Sequence, residues 1–324
     1  MIPDNRLLLS ARPKLWACHG SKQVFLTSPE DRTPSNGPSL SLAGALPDQH
    51  HYAGRGGRVF PLWKDAAATE PNIRPAFLAR LRTDLGIAVS PEDMLAYIAA
   101  LAAHPAYTAH IQPDLVQPGL RIPITGTAAL FEEAAGIGAE IIWLHTYGER
   151  FADPANNRPA GPPRAPGGPT IPRGGTIPSE PANFPDKLNY DDTAQRLYVG
   201  EGVIDNVSPQ VRNFEVSGKN TLDQWFSYRR LDRTRPMIGD RRPPSPLDKI
   251  QPDSWPASYT EDLLNLLHVL SRLTALEERQ ADLLERVCTG PLIDAEILRA
   301  DGIFDDDSAA VGRLGDDRQV QFLF

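Results

Sequence analysis

Hydrophobic positions recur at helical spacing in three parts of the chain and at strand-like spacing in shorter stretches around them. Phe77, Leu78, Leu81 and Leu85 share one face of a helix, and Gly86 follows as a stop signal. Ser90-Pro-Glu-Asp93 reads as a helix start. Ser can cap the free N–H groups, Pro loses nothing in the first turn, and the acids face the positive end of the dipole. Met94, Leu95, Ile98 and Leu101 continue as one apolar stripe that ends near Pro105, and Phe131, Ala135, Gly138, Ile142 and His145 carry the same period towards Tyr147. The longest pattern runs from Thr260 to Val287, lined by Leu263, Leu266, Leu267, Leu270, Leu273, Leu276, Leu283 and Leu284, with Gly290-Pro291 as its stop. Strand signals are weaker: Gln23–Leu26, with a Ser/Pro/Gly/Asn loop after it to Pro38, then Arg196–Val199, Gly202–Ile204 and Val211–Val216. Thr221–Arg230 reads as a short helix with Leu222, Trp225 and Phe226 facing in. The predicted fold class is α+β: a central helical region, flanking β segments and a long C-terminal helix.

Composition adds boundaries to this pattern. Between Pro154 and Pro185 lie ten prolines and five glycines, with hardly any large apolar side chain. Such a stretch buries too little surface to offset its ordering, so it reads as a loop or linker. The expected organisation is residues 1–153, with β segments and the helical part, a Pro/Gly-rich loop at 154–187, β segments and the long helix at 188–292, and an acidic, mobile tail at 293–324. Of the net charge of −8, the tail from Asp294 carries −5 and leaves only −3 to the rest. An overall acidic balance argues against general binding of polyanions. Affinity for nucleic acid would need positive charge concentrated locally. Arg229, Arg230, Arg233, Arg235, Arg241 and Arg242 supply one such concentration, which solvated surface alone would also explain.

No apolar run reaches the roughly 18–20 residues of a membrane span, and the N-terminus lacks the charged and apolar regions of a secretory signal. Cys18 and Cys288 are the only cysteines, too few for a disulfide framework, so a cytoplasmic setting is expected. Catalytic motifs are absent. The Pro-Pro pairs, Gly161-Pro-Pro-Arg164 and Arg242-Pro-Pro-Ser245, do not make the Asp/Asn-Pro-Pro-Tyr loop that holds a flipped base in an amino-methyltransferase. No phosphate-cradling Gly-x-x-x-x-Gly-Lys-Ser/Thr motif occurs, and Gly136-Ile-Gly138 sits inside a helical pattern, where packing explains it. Gly54-Arg-Gly-Gly-Arg58 is either a glycine turn or a phosphate cradle. Cys18-His19 and His50-His51 could meet at a zinc ion, although no Cys-x-x-Cys pair supports it. His145 and Glu149 could form an acid–base couple, or His145 could be a satisfied core histidine.

Several segments, in order, resemble one family. They include His51-Tyr-Ala-Gly-Arg-Gly-Gly-Arg-Val-Phe-Pro-Leu-Trp63 with Asp65 and Pro71-Asn72, Pro91–Ile98, and His104-Pro-Ala-Tyr107. Ile142-Trp-Leu-His-Thr-Tyr-Gly-Glu-Arg-Phe151, Val211–Ser217, Ser245–Asp248 and Asp262–Gly290, with Cys-Thr-Gly-Pro-Leu at its close, complete the set. Together they resemble the C-terminal specificity domain of type ISP restriction–modification enzymes, over residues 2 to 292. Such enzymes join a nuclease, a DNA translocase, an adenine-N6 methyltransferase and this target-recognition domain in one polypeptide. Ile2–Leu7 resembles a point inside the family's domain, so the chain is expected to be N-terminally truncated relative to it.

The resemblance implies sequence-specific recognition of double-stranded DNA, with no catalytic residue, metal or cofactor in this chain. S-adenosylmethionine would then be bound only by an associated methyltransferase part. Arginine pairs with guanine edges, and Arg and Lys contact phosphates. Arg55, Arg58, Lys219, Tyr228, Arg229, Arg230 and Arg233 are therefore the candidate DNA contacts. The residues leave two alternatives open. The long helix could dock on a separate methyltransferase or translocase chain, or the chain could be a gene fragment without function.

Overall fold

The computed structural model describes residues 12–29, 36–47, 57–112, 120–230 and 252–303. The chain divides into two compact units, one made of Met1–Gly161 with Leu276–Phe324 and the other of Pro162–Ala275. The architecture is α+β, as the hydrophobic pattern predicts.

In the first unit, α1 (Pro13–Ala17) precedes an antiparallel sheet of β1 (Phe25–Pro29), β2 (Ser41–Ala43) and β3 (Gly57–Pro61), ordered β2-β1-β3. The central strand pairs Phe25 with Ala43 on one side and with Pro61 on the other, and Phe25 and Leu26 are fully buried. β1 begins two residues later than the pattern predicts. Gln23 is taken up by its own side chain, which donates to the carbonyls of Cys18 (2.8 Å) and Trp63 (2.7 Å) and accepts from Trp63 N (3.0 Å). A buried amide is tolerated there because its polar atoms are paired.

Four helices follow: α2 (Pro75–Leu85), α3 (Pro91–Ala102), α4 (Pro105–Ile111) and α5 (Ala128–His145). α2 stops at Gly86, whose φ of 68° is the left-handed conformation that suits glycine. Ser90 and Asp93 form the expected capping box at the start of α3. Every residue of α3 from Met94 to Ala102 is buried, so this is a core helix and not an amphipathic one. α5 crosses it at Gly138, where a Cβ would lie only 1.6 Å from the Ala96 carbonyl oxygen. A Cβ at Gly136, by contrast, would meet nothing within 4 Å. Beside the crossing, Tyr97 stacks on Phe131 with ring centroids 4.8 Å apart. The Tyr97 hydroxyl donates to Pro123 O (2.7 Å) and accepts from Thr125 N (3.0 Å), and Tyr107 treats Arg121 O and N alike.

The second unit holds a meander of β4 (Leu188–Asp191), β5 (Arg196–Val199) and β6 (Gly202–Ile204), with Leu197, Val199 and Ile204 facing in. The proline-rich stretch before it forms two single 3-10 turns, at Pro154–Asn156 and Pro181–Asn183, and its later part is tied to the sheet edge. Thr170 and Asp205 exchange both backbone hydrogen bonds (3.1 and 2.8 Å), and Val203 N donates to Gly175 O (2.8 Å). Gly202 permits this approach, since a Cβ there would sit 2.5 Å from Ile177 Cγ1. The prolines are not confined to loops. Five described helices begin on one, where the missing N–H costs nothing.

Where a single strand was expected at Val211–Val216, Ser208 caps a helical turn, α6 (Pro209–Arg212), by accepting from Val211 N (3.3 Å). Only Glu215–Val216 (β7) remains extended, and it pairs with β8 (Lys219–Asn220). Asn220 then caps α7 (Thr221–Ser227). The long helix α8 (Ala257–Thr289) contributes Ala257–Ala275 to this unit and its remainder to the first. In the first unit Gln280 Nε2 donates to Ala100 O (2.9 Å), and Arg286 pairs with Glu133 (2.6 Å). Leu263, Leu266, Leu267, Leu270, Leu273, Leu276, Leu283, Leu284 and Val287 are all buried. The Gly290-Pro291 stop leads not directly into a tail but into α9 (Ala295–Ala300), capped by Asp294. Residues 304–324 lie outside the described residues.

Two measurements check this packing. Gly138→Ala should cost about 3 kcal/mol or more in chemical unfolding, because backbone meets backbone there, whereas Gly136→Ala should be neutral or gain about 0.5–1 kcal/mol. Equal effects would contradict the close crossing. His104, 1% exposed at the start of α4, has its imidazole pushed by burial from 6.5 down to about 4. The unfolded chain therefore binds a proton that the folded chain refuses. Stability should fall by up to about 3 kcal/mol as pH drops through that window and level off below it. His104→Gln should flatten that part of the profile, and parallel profiles would contradict the assignment.

Candidate nucleic-acid interface

Of the seven candidate contacts, Arg55 and Arg233 lie outside the described residues. Arg58 is on β3, opposite Ser28 and half-buried, in the first unit. The other four belong to the second unit, around α7. Lys219 opens β8 after a two-residue turn in which Ser217 (φ 51°) and Gly218 (φ 77°) are both left-handed, the geometry that matches the strand twist of a tight hairpin. It is exposed and has no ion-pair partner among the described residues. Tyr228, Arg229 and Arg230 follow the other end of α7, roughly 10 Å away along the helix axis.

These three consecutive residues behave differently. Tyr228 is 74% exposed, the most exposed large hydrophobic side chain described, and Arg230 is exposed as well. Arg229 turns inward. Its Cζ lies 4.2 Å from the Trp225 ring centroid and 5.5 Å from that of Tyr259, and its Nη1 donates to Trp225 O (3.1 Å). Behind it stands an aromatic cluster centred on buried Trp255, which meets Tyr259 edge-on at 5.2 Å and Phe184 at 5.7 Å. Sequence reasoning missed this cluster. The sequence pattern faces Trp225 and Phe226 inward, but the pair of aromatics in Trp255-Pro-Ala-Ser-Tyr259 lies outside any periodic pattern.

Charge is divided between the units. The second contains as many Lys and Arg as Asp and Glu, so the whole net charge of −8 falls in the first. Within the second, Arg196 is paired with Asp205 (2.6 Å) and Arg212 with Asp223 (3.0 Å). Lys219, Tyr228 and Arg230 are exposed around α7.

The His145 and Glu149 candidate resolves into structure. His145 Nδ1 accepts from the Leu42 backbone N–H (3.2 Å), and Glu149 pairs with Arg150 (3.5 Å), so the two do not form an acid–base couple. The conspicuous segment around them is a chain corner. Trp143 Nε1 donates to Pro159 O (2.8 Å), and the Arg150 guanidinium reaches the carbonyls of Gln23 (3.0 Å), Gly20 (3.4 Å) and Gly44 (3.3 Å). Gly148 turns left-handed (φ 80°) where a Cβ would be 1.9 Å from Gly161 O. Cys18 Sγ lies 3.1 Å from the carbonyls of Lys14 and Lys64, and burial pushes its thiol up, so it donates as a neutral group. His50 and His51 lie outside the described residues, and no cluster that could hold a metal occurs among those described. No described helix is long and apolar enough to cross a membrane.

The fold defines a class: a mixed α+β domain with Lys219, Tyr228 and Arg230 exposed around a short helix. The chain belongs to the family described as the type ISP C-terminal specificity domain, which it matches over residues 1–266. Two solved structures share the fold. One is titled "cryoEM structure DrdV-DNA complex", with a TM-score of 0.54 and 16% identity over 82% of this chain and 24% of that one. The other is the "ATP-dependent Type ISP restriction-modification enzyme LlaBIII bound to DNA", with a TM-score of 0.53 and 15% identity over 84% of this chain and 16% of that one. The chain thus spans a quarter or less of the length of either protein. No curated protein sequence matches it.

Proposed function

We propose that this chain is the module that recognises a short sequence in duplex DNA for a type ISP-like restriction–modification system or adenine-N6 methyltransferase. Membership of the specificity-domain family over residues 1–266 carries the reading. The titles of both similar structures name DNA as what those proteins are bound to. Methyl transfer, translocation and cleavage would belong to other parts of the system, where S-adenosylmethionine and ATP would be bound. Such a methyltransferase or translocase part is the expected protein partner.

Within the chain, the face around α7 is where the reading puts the duplex. Lys219 and Arg230 are suited to phosphates, which position a protein on DNA, and Tyr228 presents a ring and a hydroxyl to a groove or a sugar. The second unit also carries none of the net negative charge that would repel a polyanion. The alternative reading, docking through α8, gets less support, because Leu263, Leu266, Leu267, Leu270, Leu273, Leu276, Leu283 and Leu284 of that helix are buried among the described residues.

A mobility shift with a labelled duplex tests this. Affinity should fall steeply between about 50 and about 200 mM salt, and Lys219→Ala and Arg230→Ala should each lower the log–log slope by about 0.9, one phosphate contact apiece. Tyr228→Ala should weaken binding about tenfold. Affinity indifferent to salt and to all three substitutions would overturn the proposal.

A further inference from the structure

We infer that Arg229 is a positioning residue for this face and does not itself contact DNA: clamped on Trp225 and Tyr259, it holds its neighbours Tyr228 and Arg230 in the pose that meets the duplex. The inference rests on the reading of the chain as a DNA-recognition module.

An arginine that grips a phosphate or a guanine does so with a free edge, two parallel N–H groups aimed outward. In Arg229 each of those edges is taken up or closed off at one end. Its Nη1 is bonded to Trp225 O (3.1 Å), its Nε is enclosed with no hydrogen-bond partner among the described residues, and its plane lies against two aromatic rings at 4.2 and 5.5 Å. Both ring distances are within the roughly 6 Å over which an aromatic quadrupole attracts a cation. The rings cannot yield, because Trp255 packs edge-on against both Trp225 (6.4 Å) and Tyr259 (5.2 Å) and donates from Nε1 to Thr260 Oγ1 (2.9 Å).

The backbone completes the device. The N–H groups of Arg229 and Arg230 both donate to Phe226 O (2.9 and 2.8 Å), closing the last turn of α7. Tyr228 is thereby held between a helix end and an anchored side chain while its own side chain stays 74% exposed. Trp225 is on α7 and Tyr259 is in the first turn of α8, so the clamp also joins these two helices within the second unit. A backbone fixed before binding loses less freedom on binding, which raises affinity without adding a contact.

The test uses the full chain and a mixed-sequence duplex, with affinity measured across a salt series. Arg230→Gln should flatten the salt slope by about 0.9, as the loss of a phosphate contact does. Arg229→Gln should weaken binding about tenfold with the slope unchanged. Arg229→Lys should not rescue it, since an ammonium keeps the charge but not the planar stack. Trp225→Leu should cost as much as Arg229→Gln, and the double variant no more than either, because the two act as one unit. Thermal midpoints identify variants that lose the fold. If Arg229→Gln is among them, Arg229→Lys and Trp225→Phe carry the same comparison. A flattened slope in Arg229→Gln, or rescue by Lys, would make Arg229 a phosphate contact, and unchanged affinity would make the clamp a matter of folding only. Each of those results overturns the inference and leaves the DNA reading standing. A wild-type chain that leaves the duplex unshifted at low salt overturns both.

Discussion

Nothing larger than a hydrogen atom fits on Gly138 where α5 meets the Ala96 carbonyl of α3, and the helical unit is arranged around that contact. Because the two backbones touch, α3 can be buried on every side and the Tyr97 and Phe131 rings can stack beside the crossing. Tyr97 and Tyr107 then use their hydroxyls to hold both polar groups of the passing chain at Thr125, Pro123 and Arg121. Hydrogen bonds made this way inside an apolar region fix one arrangement, since any slip would leave a buried polar group unpaired. Gln280 of α8 closes the same core by donating to Ala100 O, so the C-terminal part of α8 is held where the middle of the chain is packed.

The second unit is built on another physical basis. Its sheet has only three short strands, and much of its burial comes from aromatic side chains around Trp255 and from a proline-rich stretch laid along β6. A surface supported by aromatic rings and a capped short helix can present polar side chains rigidly without a deep pocket. That is what reading a duplex needs. His145 and Glu149, a candidate acid–base couple in the sequence, instead meet the Leu42 N–H and Arg150.

The helices were legible because their signals are local. Apolar spacing, a Ser-Pro-Glu-Asp start and glycine stops each act within a turn or two, and α2, α3, α5 and α8 follow them closely. Strand limits were less legible. Gln23 and Ser208 redirect the chain through side-chain hydrogen bonds whose partners, Trp63 and Val211, cannot be ranked against strand pairing from spacing alone. The surface proposed to meet DNA was legible only in part. Lys219, Tyr228 and Arg230 emerge exposed around α7, but three adjacent residues read alike in sequence, and it took the rings of Trp225 and Tyr259 to separate Arg229 from its neighbours. The significance of Gly138 over Gly136 was equally invisible, because it depends on which helix lies opposite.

Specific recognition of a DNA sequence, as opposed to attraction to phosphate, is the central claim, and selection from a randomised duplex pool tests it most directly. The immobilised chain, challenged at moderate salt through repeated rounds, should enrich one short motif. A recovered pool as random as the starting one would contradict the claim.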